Sequence, residues 1–411
     1  MKTLLQINSV ISYGSTGRIA DDIGLMAMEN GWESIIAFGR MPRQSSSQLI
    51  RIGTNMDVIR HGAYTRLFDR HGLGSKNATI ELVKKIEHIN PNIIHLHNLH
   101  GYYLNILVLF NYLNHANIPV IWTLHDCWPF TGHCANFDFI GCNKWKTECF
   151  NCPEKRAYPE SFFWDNSRYN YNIKKQLFKS VPNMILVPVS NWLEGLLKQS
   201  MISGYKSKVI HNGIDTRVFT PKDRTKIRIK YNLNGYFVVL GVASVWDRRK
   251  GLSDFLELSK IVNKGIKIIL IGLNNKQIKS LPLNIIGIRR TENINELAEF
   301  YSMADLFVNP TWEDNFPTTN LEAMSCGTPV LTYRTGGSIE SIDDDTGFIV
   351  EKGDLRAILE VIDKIMTNKT QALSVKCREN ILKYFDKNEC YHSYLQLYNE
   401  LKQSGNKGNR C

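Results

Sequence analysis

The 411-residue sequence predicts an α/β protein made of two Rossmann-like halves. Three observations carry that reading. Short β-rich apolar runs alternate with helix-length segments. The same rhythm starts again at Phe237. Several strand ends run into loops of Gly, Ser and Thr, where such folds bind ligands.

The first half opens with Leu4–Ile7 as a strand. A Gly/Ser loop follows (Ser12 to Gly17), then a helix from about Arg18 to Asn30. Ser34–Phe38, Asn92–Leu96 and Pro119–Thr123 are the next strands, with a long apolar helical stretch between the last two. Phe237–Leu240 opens the second half, followed by a basic loop and a helix from about Leu252 to Lys264. Lys267–Ile271, Leu306–Val308 and Pro329–Leu331 continue it. Strand–helix–strand repetition implies parallel sheets covered on both faces. The boundary falls in the Gly- and Lys-containing segment Ile202–Pro221. Phe385–Lys402 reads as a helix with Tyr391, Tyr394, Leu395, Tyr398 and Leu401 on one face. Gly405–Cys411 is polar and reads as a frayed end.

Composition sets limits. With 43% hydrophobic and 22% charged residues, disordered, collagen-like and disulfide-scaffold classes are excluded. Fifty Lys and Arg against 39 Asp and Glu give a formal charge of +11. That excess points to phosphate-bearing partners: nucleic acid, nucleotides or an anionic membrane face. No apolar run reaches the roughly 20 residues of a membrane span. The longest, Leu104–Leu113, contains Asn105, Asn111 and Tyr112. Residues 2–8 read as a strand rather than a signal peptide, so a cytosolic chain is expected. Nine cysteines are then thiols or metal ligands rather than disulfides.

The strand ends carry the chemistry. Gly14-Ser15-Thr16-Gly17 precedes a helix, where free N–H groups suit a phosphate, although the run lacks the dinucleotide spacing. His95, His97 and His100 lie at the end of one strand and read as hydrogen-bonded structural residues, with a metal site as the alternative. His125-Asp126 ends the next, placed to contact a substrate hydroxyl. Cys134, Cys142, Cys149 and Cys152 lie within 19 residues. Only the last two have zinc-knuckle spacing; reduced thiols are the alternative to a structural zinc. Arg248-Arg249-Lys250-Gly251 can neutralise a diphosphate. Glu313-Asp314-Asn315-Phe316-Pro317 leads into a helix bearing Glu322; carboxylates there accept hydroxyls of a sugar or ribose.

Together these motifs resemble the retaining glycosyltransferases of family 4, within it the bacterial colanic-acid and capsule type, over nearly the whole chain. Glu313–Pro329, the His211–Asp215 segment, the N-terminal Gly loop, His125 and Lys250-Gly251 carry the resemblance. It implies a GT-B fold: two Rossmann-like domains facing across a cleft, with a C-terminal helix crossing back. The domains would be 1–205, acceptor-binding, with a Cys-rich insertion at about 127–160; 206–385, binding the nucleotide sugar; and 386–411, crossover helix and tail. The implied reaction moves a sugar from a nucleotide diphosphate to a lipid-linked or oligosaccharide acceptor in bacterial surface polysaccharide (capsule, exopolysaccharide) biosynthesis.

The resemblance assigns catalytic positions to His125, Lys250 and Asp314. It assigns the donor to Gly14, Ser15, Thr16, Gly17, Ser244, Arg248, Arg249, Glu313, Asn315, Phe316, Pro317 and Glu322. It implies no divalent cation for catalysis. The expected partners are a nucleotide sugar, the acceptor and a peripheral contact at the inner membrane face, with no nucleic acid. Two departures stand out: Asp314 replaces a Glu, and Ser244 replaces the family's donor-site Arg. A sugar-nucleotide epimerase and a non-catalytic member of a polysaccharide assembly complex are the competing readings.

Overall fold

The computed structural model describes residues 2–41, 43–367 and 371–408. The last three residues of the polar tail, 409–411, lie outside the described ones. The chain divides into two compact units: Met1–His211 with Tyr391–Cys411, and Asn212–Cys390.

The first unit is a seven-stranded sheet. Its strands are β1 (Lys2–Val10), β2 (Trp32–Arg40), β3 (Gln48–Arg51), β4 (Ile93–Leu96), β5 (Val120–Leu124), β6 (Met184–Pro188) and β7 (Lys206–Ser207). They are all parallel, in the order β3-β2-β1-β4-β5-β6-β7. β4 and β5 are buried throughout, as apolar runs in a sheet covered on both faces must be. Strand order turns between β1 and β4, so a crevice opens beyond their carboxyl ends.

The helix Lys387–Gly408 belongs to this unit from Tyr391 on. Its aromatic face explains the attachment. Tyr391, Tyr394 and Tyr398 are buried, and Tyr398 packs edge-on against Trp32 with centroids 5.7 Å apart. The polar tips are satisfied in one chain of bonds. Thr123 Oγ1 donates to Tyr394 Oη at 3.0 Å and lies 2.7 Å from His95 Nε2. His95 Nε2 therefore carries the proton, and His95 Nδ1 accepts from Tyr398 Oη at 2.7 Å. His95 is structural, as its strand position suggested.

The second unit is a six-stranded parallel sheet. Its strands are β8 (Phe237–Val242), β9 (Ile266–Ile271), β10 (Ile285–Ile288), β11 (Leu306–Asn309), β12 (Val330–Tyr333) and β13 (Gly347–Val350), in the order β10-β9-β8-β11-β12-β13. Val239, Leu270, Leu331, Phe255 and Ile362 anchor its core. Here the order turns between β8 and β11.

A segment without long helices or strands separates β5 from the helix Ser167–Phe178. It holds three short 3₁₀ turns and an aromatic stack. Trp145 lies 5.4 Å from Phe130 and 4.9 Å from Phe137. Trp145 and Phe130 are fully buried, so the segment has its own small core. Among the described residues, no helix is long and apolar enough to cross a membrane.

Candidate active site

In the second unit the two switch-point loops meet. The loop after β8 forms a 3₁₀ turn over Arg248–Lys250, capped where Asp247 accepts the Lys250 N–H at 3.0 Å. Gly251 then takes φ 74°; a Cβ there would lie 2.2 Å from the Pro310 carbonyl oxygen. Only glycine permits that approach. It brings the Lys250 ammonium against the loop after β11, where Nζ lies 2.5 Å from Asp314 Oδ2. Burial would raise the Asp314 carboxyl. The nearby charges of Lys250 and Arg249 outweigh it and hold the group below its usual range.

Arg249 braces the same loop. Its guanidinium donates to the Glu313 carbonyl at 2.7 Å, and its own carbonyl accepts the Trp312 N–H at 2.8 Å. Ser244 and Arg248 are exposed on the rim. Glu313, Asn315 and Phe316 are buried. Asp314 backbone oxygen accepts the Gly337 N–H at 3.1 Å, which ties in the small-residue loop after β12.

Pro317 precedes the helix Thr318–Ser325. Glu322 on this helix is buried, and its Oε2 accepts from Tyr301 Oη at 2.8 Å. Asn320 spans two loops: its Oδ1 accepts from Asn309 Nδ2 at 2.8 Å, and its Nδ2 donates to the Ser338 carbonyl at 3.1 Å. Asn320 was not singled out from the sequence. Its signal was weak, since a helical Asn normally reads as a surface residue.

In the first unit, the helix begins at Gly14, a turn earlier than the expected start near Arg18. Gly14, Ser15, Thr16 and Gly17 are thus its first turn, not a preceding loop. Gly14 opens that turn at φ 64°, a conformation that favours glycine. The Ser12 N–H is held by the Gly17 carbonyl at 3.2 Å, and Asn8 Nδ2 donates to the Thr16 carbonyl at 3.2 Å.

His125 follows β5 and sits 3.1 Å, Nε2 to Nδ1, from His97. His97 Nε2 lies 2.9 Å from Gln6 Oε1, an acceptor, while Gln6 Nε2 donates to the Ala20 carbonyl at 2.8 Å. The protons follow from that order. His97 Nε2 donates to Gln6, so His97 Nδ1 accepts from His125 Nε2, and His125 Nδ1 keeps the lone pair. Burial pushes His97 well below the usual imidazole range and His125 down to about 4. A neutral His125 can accept a hydrogen bond from a hydroxyl.

The neighbouring Asp126 does more than cap a turn. Oδ1 accepts the Trp128 N–H at 2.9 Å, and Oδ2 pairs with His100 Nε2 at 2.5 Å. His100 Nδ1 meets Tyr158 Oη, from the insertion, at 2.9 Å. Sequence reasoning gave no sign of Tyr158.

Cys134, Cys142, Cys149 and Cys152 line one small cavity with His133, Trp145 and Phe150. Among the described residues no group of three or more His, Cys, Asp or Glu is disposed to hold a metal ion. The thiols gather at one cavity without forming a ready ligand set.

Residues 18–218 match the family described as Glycosyltransferase Family 4, and residues 223–384 the family described as Glycosyl transferases group 1. The chain is 24% identical over 382 residues to the "putative colanic acid biosynthesis glycosyl transferase WcaC" of Escherichia coli, covering 87% of this chain and 89% of that one. It is 22% identical to the "N,N'-diacetylbacillosaminyl-diphospho-undecaprenol alpha-1,3-N-acetylgalactosaminyltransferase" of Campylobacter jejuni, over 56% of this chain and 63% of that one. Among solved structures, Anabaena HepE in complex with UDP and glucose superposes with a TM-score of 0.69 at 15% identity, over 97% of this chain and all of that one.

Proposed function

We propose, since this chain belongs to the family 4 glycosyltransferases, that it moves a sugar from a nucleotide diphosphate to a lipid-linked or oligosaccharide acceptor with retention of anomeric configuration. Its fold is GT-B and its enzyme class is glycosyltransferase. The comparisons favour neither an epimerase nor a non-catalytic binding protein.

One observation carries the mechanism: the Lys250 ammonium, fixed 2.5 Å from Asp314 at the switch point of the second sheet. In the proposed reaction the bond between the anomeric carbon and the diphosphate oxygen breaks, and the leaving group gains negative charge. Lys250, the neighbouring arginines and helix N-termini stabilise that charge. No divalent cation is assigned to this role. Asp314 holds the ammonium in place and accepts sugar hydroxyls beside the backbone of Asn315, Phe316 and Pro317. Glu322 accepts a ribose hydroxyl. His125 Nδ1 accepts from the transferred sugar. The acceptor hydroxyl attacks on the face the diphosphate leaves, and its proton passes to a diphosphate oxygen.

The sugar-bearing complex of HepE supports a nucleotide-sugar donor, and the name of the Campylobacter relative supports a diphospho-lipid acceptor. A structural zinc on the four thiols that line one cavity belongs to the same proposal. A peripheral contact with the inner membrane face would bring the enzyme to a lipid-linked substrate.

A donor screen with purified protein tests the whole reading. UDP-, GDP- and other nucleotide sugars are offered with extracted lipid-linked acceptors. Turnover with at least one pair is expected; no binding and no turnover with any nucleotide sugar overturns it.

A further inference from the structure

A second cationic site lies in the first unit. β2 ends at Arg40, whose buried Nε has no hydrogen-bond partner. Its guanidinium carbon lies 5.8 Å from the centre of the Tyr102 ring. Arg66, on the helix Asn55–Phe68, brings its own guanidinium carbon to 5.4 Å from the same ring. Two glycines make room for these side chains. A Cβ on Gly101, at φ 122°, would stand 3.3 Å from a terminal nitrogen of Arg40; one on Gly62 would stand 2.9 Å from a terminal nitrogen of Arg66. Tyr102 itself is buried at φ 66°, a conformation that costs a residue other than glycine about 1–2 kcal/mol. The chain thus accepts strain at the ring that both arginines approach.

The nearby carboxylates leave the site positive. Asp126 already pairs with His100 and receives the Trp128 N–H. Glu160 approaches Arg66 only to 3.8 Å, with both side chains about 40% exposed. Such a pair contributes little and is readily exchanged. Tyr158, 6.1 Å from Tyr102 ring to ring, closes the aromatic wall.

Beside the arginines stands an apolar rim. Phe162, Phe163 and Trp164 are 44%, 70% and 60% exposed. Their backbone is fixed: the Phe162 N–H donates to the Arg66 carbonyl at 2.8 Å, Lys155 Nζ donates to the Phe163 carbonyl at 3.2 Å, and Ser161 Oγ donates to the Trp164 carbonyl at 2.8 Å. Three consecutive aromatic side chains on an anchored loop mark an interaction surface.

We infer that Arg40 and Arg66 bind a phosphate or diphosphate group of the acceptor, whose apolar tail lies along Phe162, Phe163 and Trp164. This rests on the transferase reading for the word acceptor; the anion site itself does not. Guanidinium forks match phosphate oxygens in pairs, and the Arg40 guanidinium reaches the site with its buried Nε held by no protein acceptor.

The test is binding to the full chain, without turnover, in a Lys250→Ala background that silences the diphosphate position of the second unit. The probes are farnesyl diphosphate, inorganic pyrophosphate, farnesol and farnesoic acid. Farnesyl diphosphate should bind most tightly. Arg40→Met and Arg66→Met should each weaken it about tenfold or more, as loss of a charged hydrogen bond does, with partial recovery in Arg40→Lys and Arg66→Lys. Phe163→Ser with Trp164→Ser should weaken farnesyl diphosphate but not pyrophosphate. Equal binding by wild type and both Met variants overturns the site, as does farnesol or farnesoic acid binding as tightly as the diphosphate. If the Met variants do not fold, full affinity in the Lys variants together with unchanged affinity in the aromatic pair overturns it as well. Because no turnover is read, this result and the donor screen fail independently.

Discussion

Replacing Lys250 by Met should cost both stability and activity, and only the stability should return when Asp314→Asn is added. The two side chains are 23% and 17% exposed, so the pair is mostly removed from water. At 2.5 Å and an effective dielectric of 20, the gross attraction is about 7 kcal/mol. Desolvation and side-chain entropy offset most of it. Breaking a fully buried pair from one side costs about 3–5 kcal/mol. Asp314 retains some support, since Arg249 lies nearby and the Phe316 N–H bonds its carboxylate. We therefore expect a loss of about 1–3 kcal/mol in Lys250→Met, or about 2–12 °C in the melting temperature of a domain of this size.

The double variant removes the stranded charge and should recover most of that loss. Donor kcat/KM should fall about 100-fold or more in both variants, because the leaving diphosphate loses its cation. Differential scanning fluorimetry and donor-titration kinetics read the two effects separately. Equal melting temperatures for single and double variants would refute the coupling. Activity restored in the double variant, or kept in the single one, would refute the role of Lys250. The acid dependence has a definite sign. Asp314 is held below 3.8, so the pair's contribution is complete above about pH 4 and is lost as pH falls through the lowered value.

The remaining predictions concern other parts of the site. Glu322→Gln keeps the bond to Tyr301 but removes the charge; donor KM should rise about 10- to 100-fold with kcat nearly unchanged, and an unaltered KM would remove Glu322 from the ribose. His71, His95, His97 and His125 are all pushed down by burial, so the unfolded state binds more protons below about pH 6.5. Thermal stability should therefore fall steeply between pH 6.5 and 4, and a flat melting profile there would contradict neutral buried imidazoles. The same shift means that His125 gives kcat/KM no limb near pH 6.5; a limb at that pH abolished by His125→Gln would refute a buried, neutral His125. Metal analysis after mild purification should find about one zinc per chain, lost in Cys149→Ser with Cys152→Ser. No bound metal and four freely titrating thiols would remove the zinc.

Legibility in the sequence followed burial. β1, β2, β4, β5, β8, β9, β11 and β12 are all paired on both sides, and each includes an apolar run that reads as a strand. The runs understate β1 and β2, which extend through Asn8, Ser9, Gly39 and Arg40, since pairing with a neighbour continues where hydrophobicity stops. β3, β7, β10 and β13 escaped notice as edge or near-edge strands. Gln48–Arg51 has polar ends, Lys206–Ser207 is two polar residues, and Gly interrupts Ile285–Ile288 and opens Gly347–Val350. β6 is paired on both sides, but Pro182 and Pro188 bracket Met184–Val187 and imitate a turn.

The site divides along a different line. Residues close together in sequence were readable because one loop or one helix turn places them: Arg248 to Lys250, Glu313 to Pro317, Gly14 to Gly17. Their roles needed tertiary information. Nothing in the order of residues shows that Arg249 turns inward to the Glu313 carbonyl while Arg248 stays on the rim. Arg40 and Arg66 are further from reach. One ends a strand, the other lies on a helix, and Tyr102 joins them only because β2, β1 and β4 are adjacent in a sheet that interleaves distant segments. The basic excess of the chain counts such residues without locating them. A charge total becomes a binding site only where folding leaves cations close together with too few carboxylates to neutralise them. That condition is met where Asp126 is committed to His100 and Glu160 holds Arg66 weakly. It is not met at Lys250, whose ammonium already has Asp314. An anion arriving at Lys250 must therefore share or displace a carboxylate, whereas one arriving at Arg66 meets only the loosely held Glu160. Pyrophosphate binding should accordingly gain more from Asp314→Asn at the second unit than from Glu160→Gln at the first.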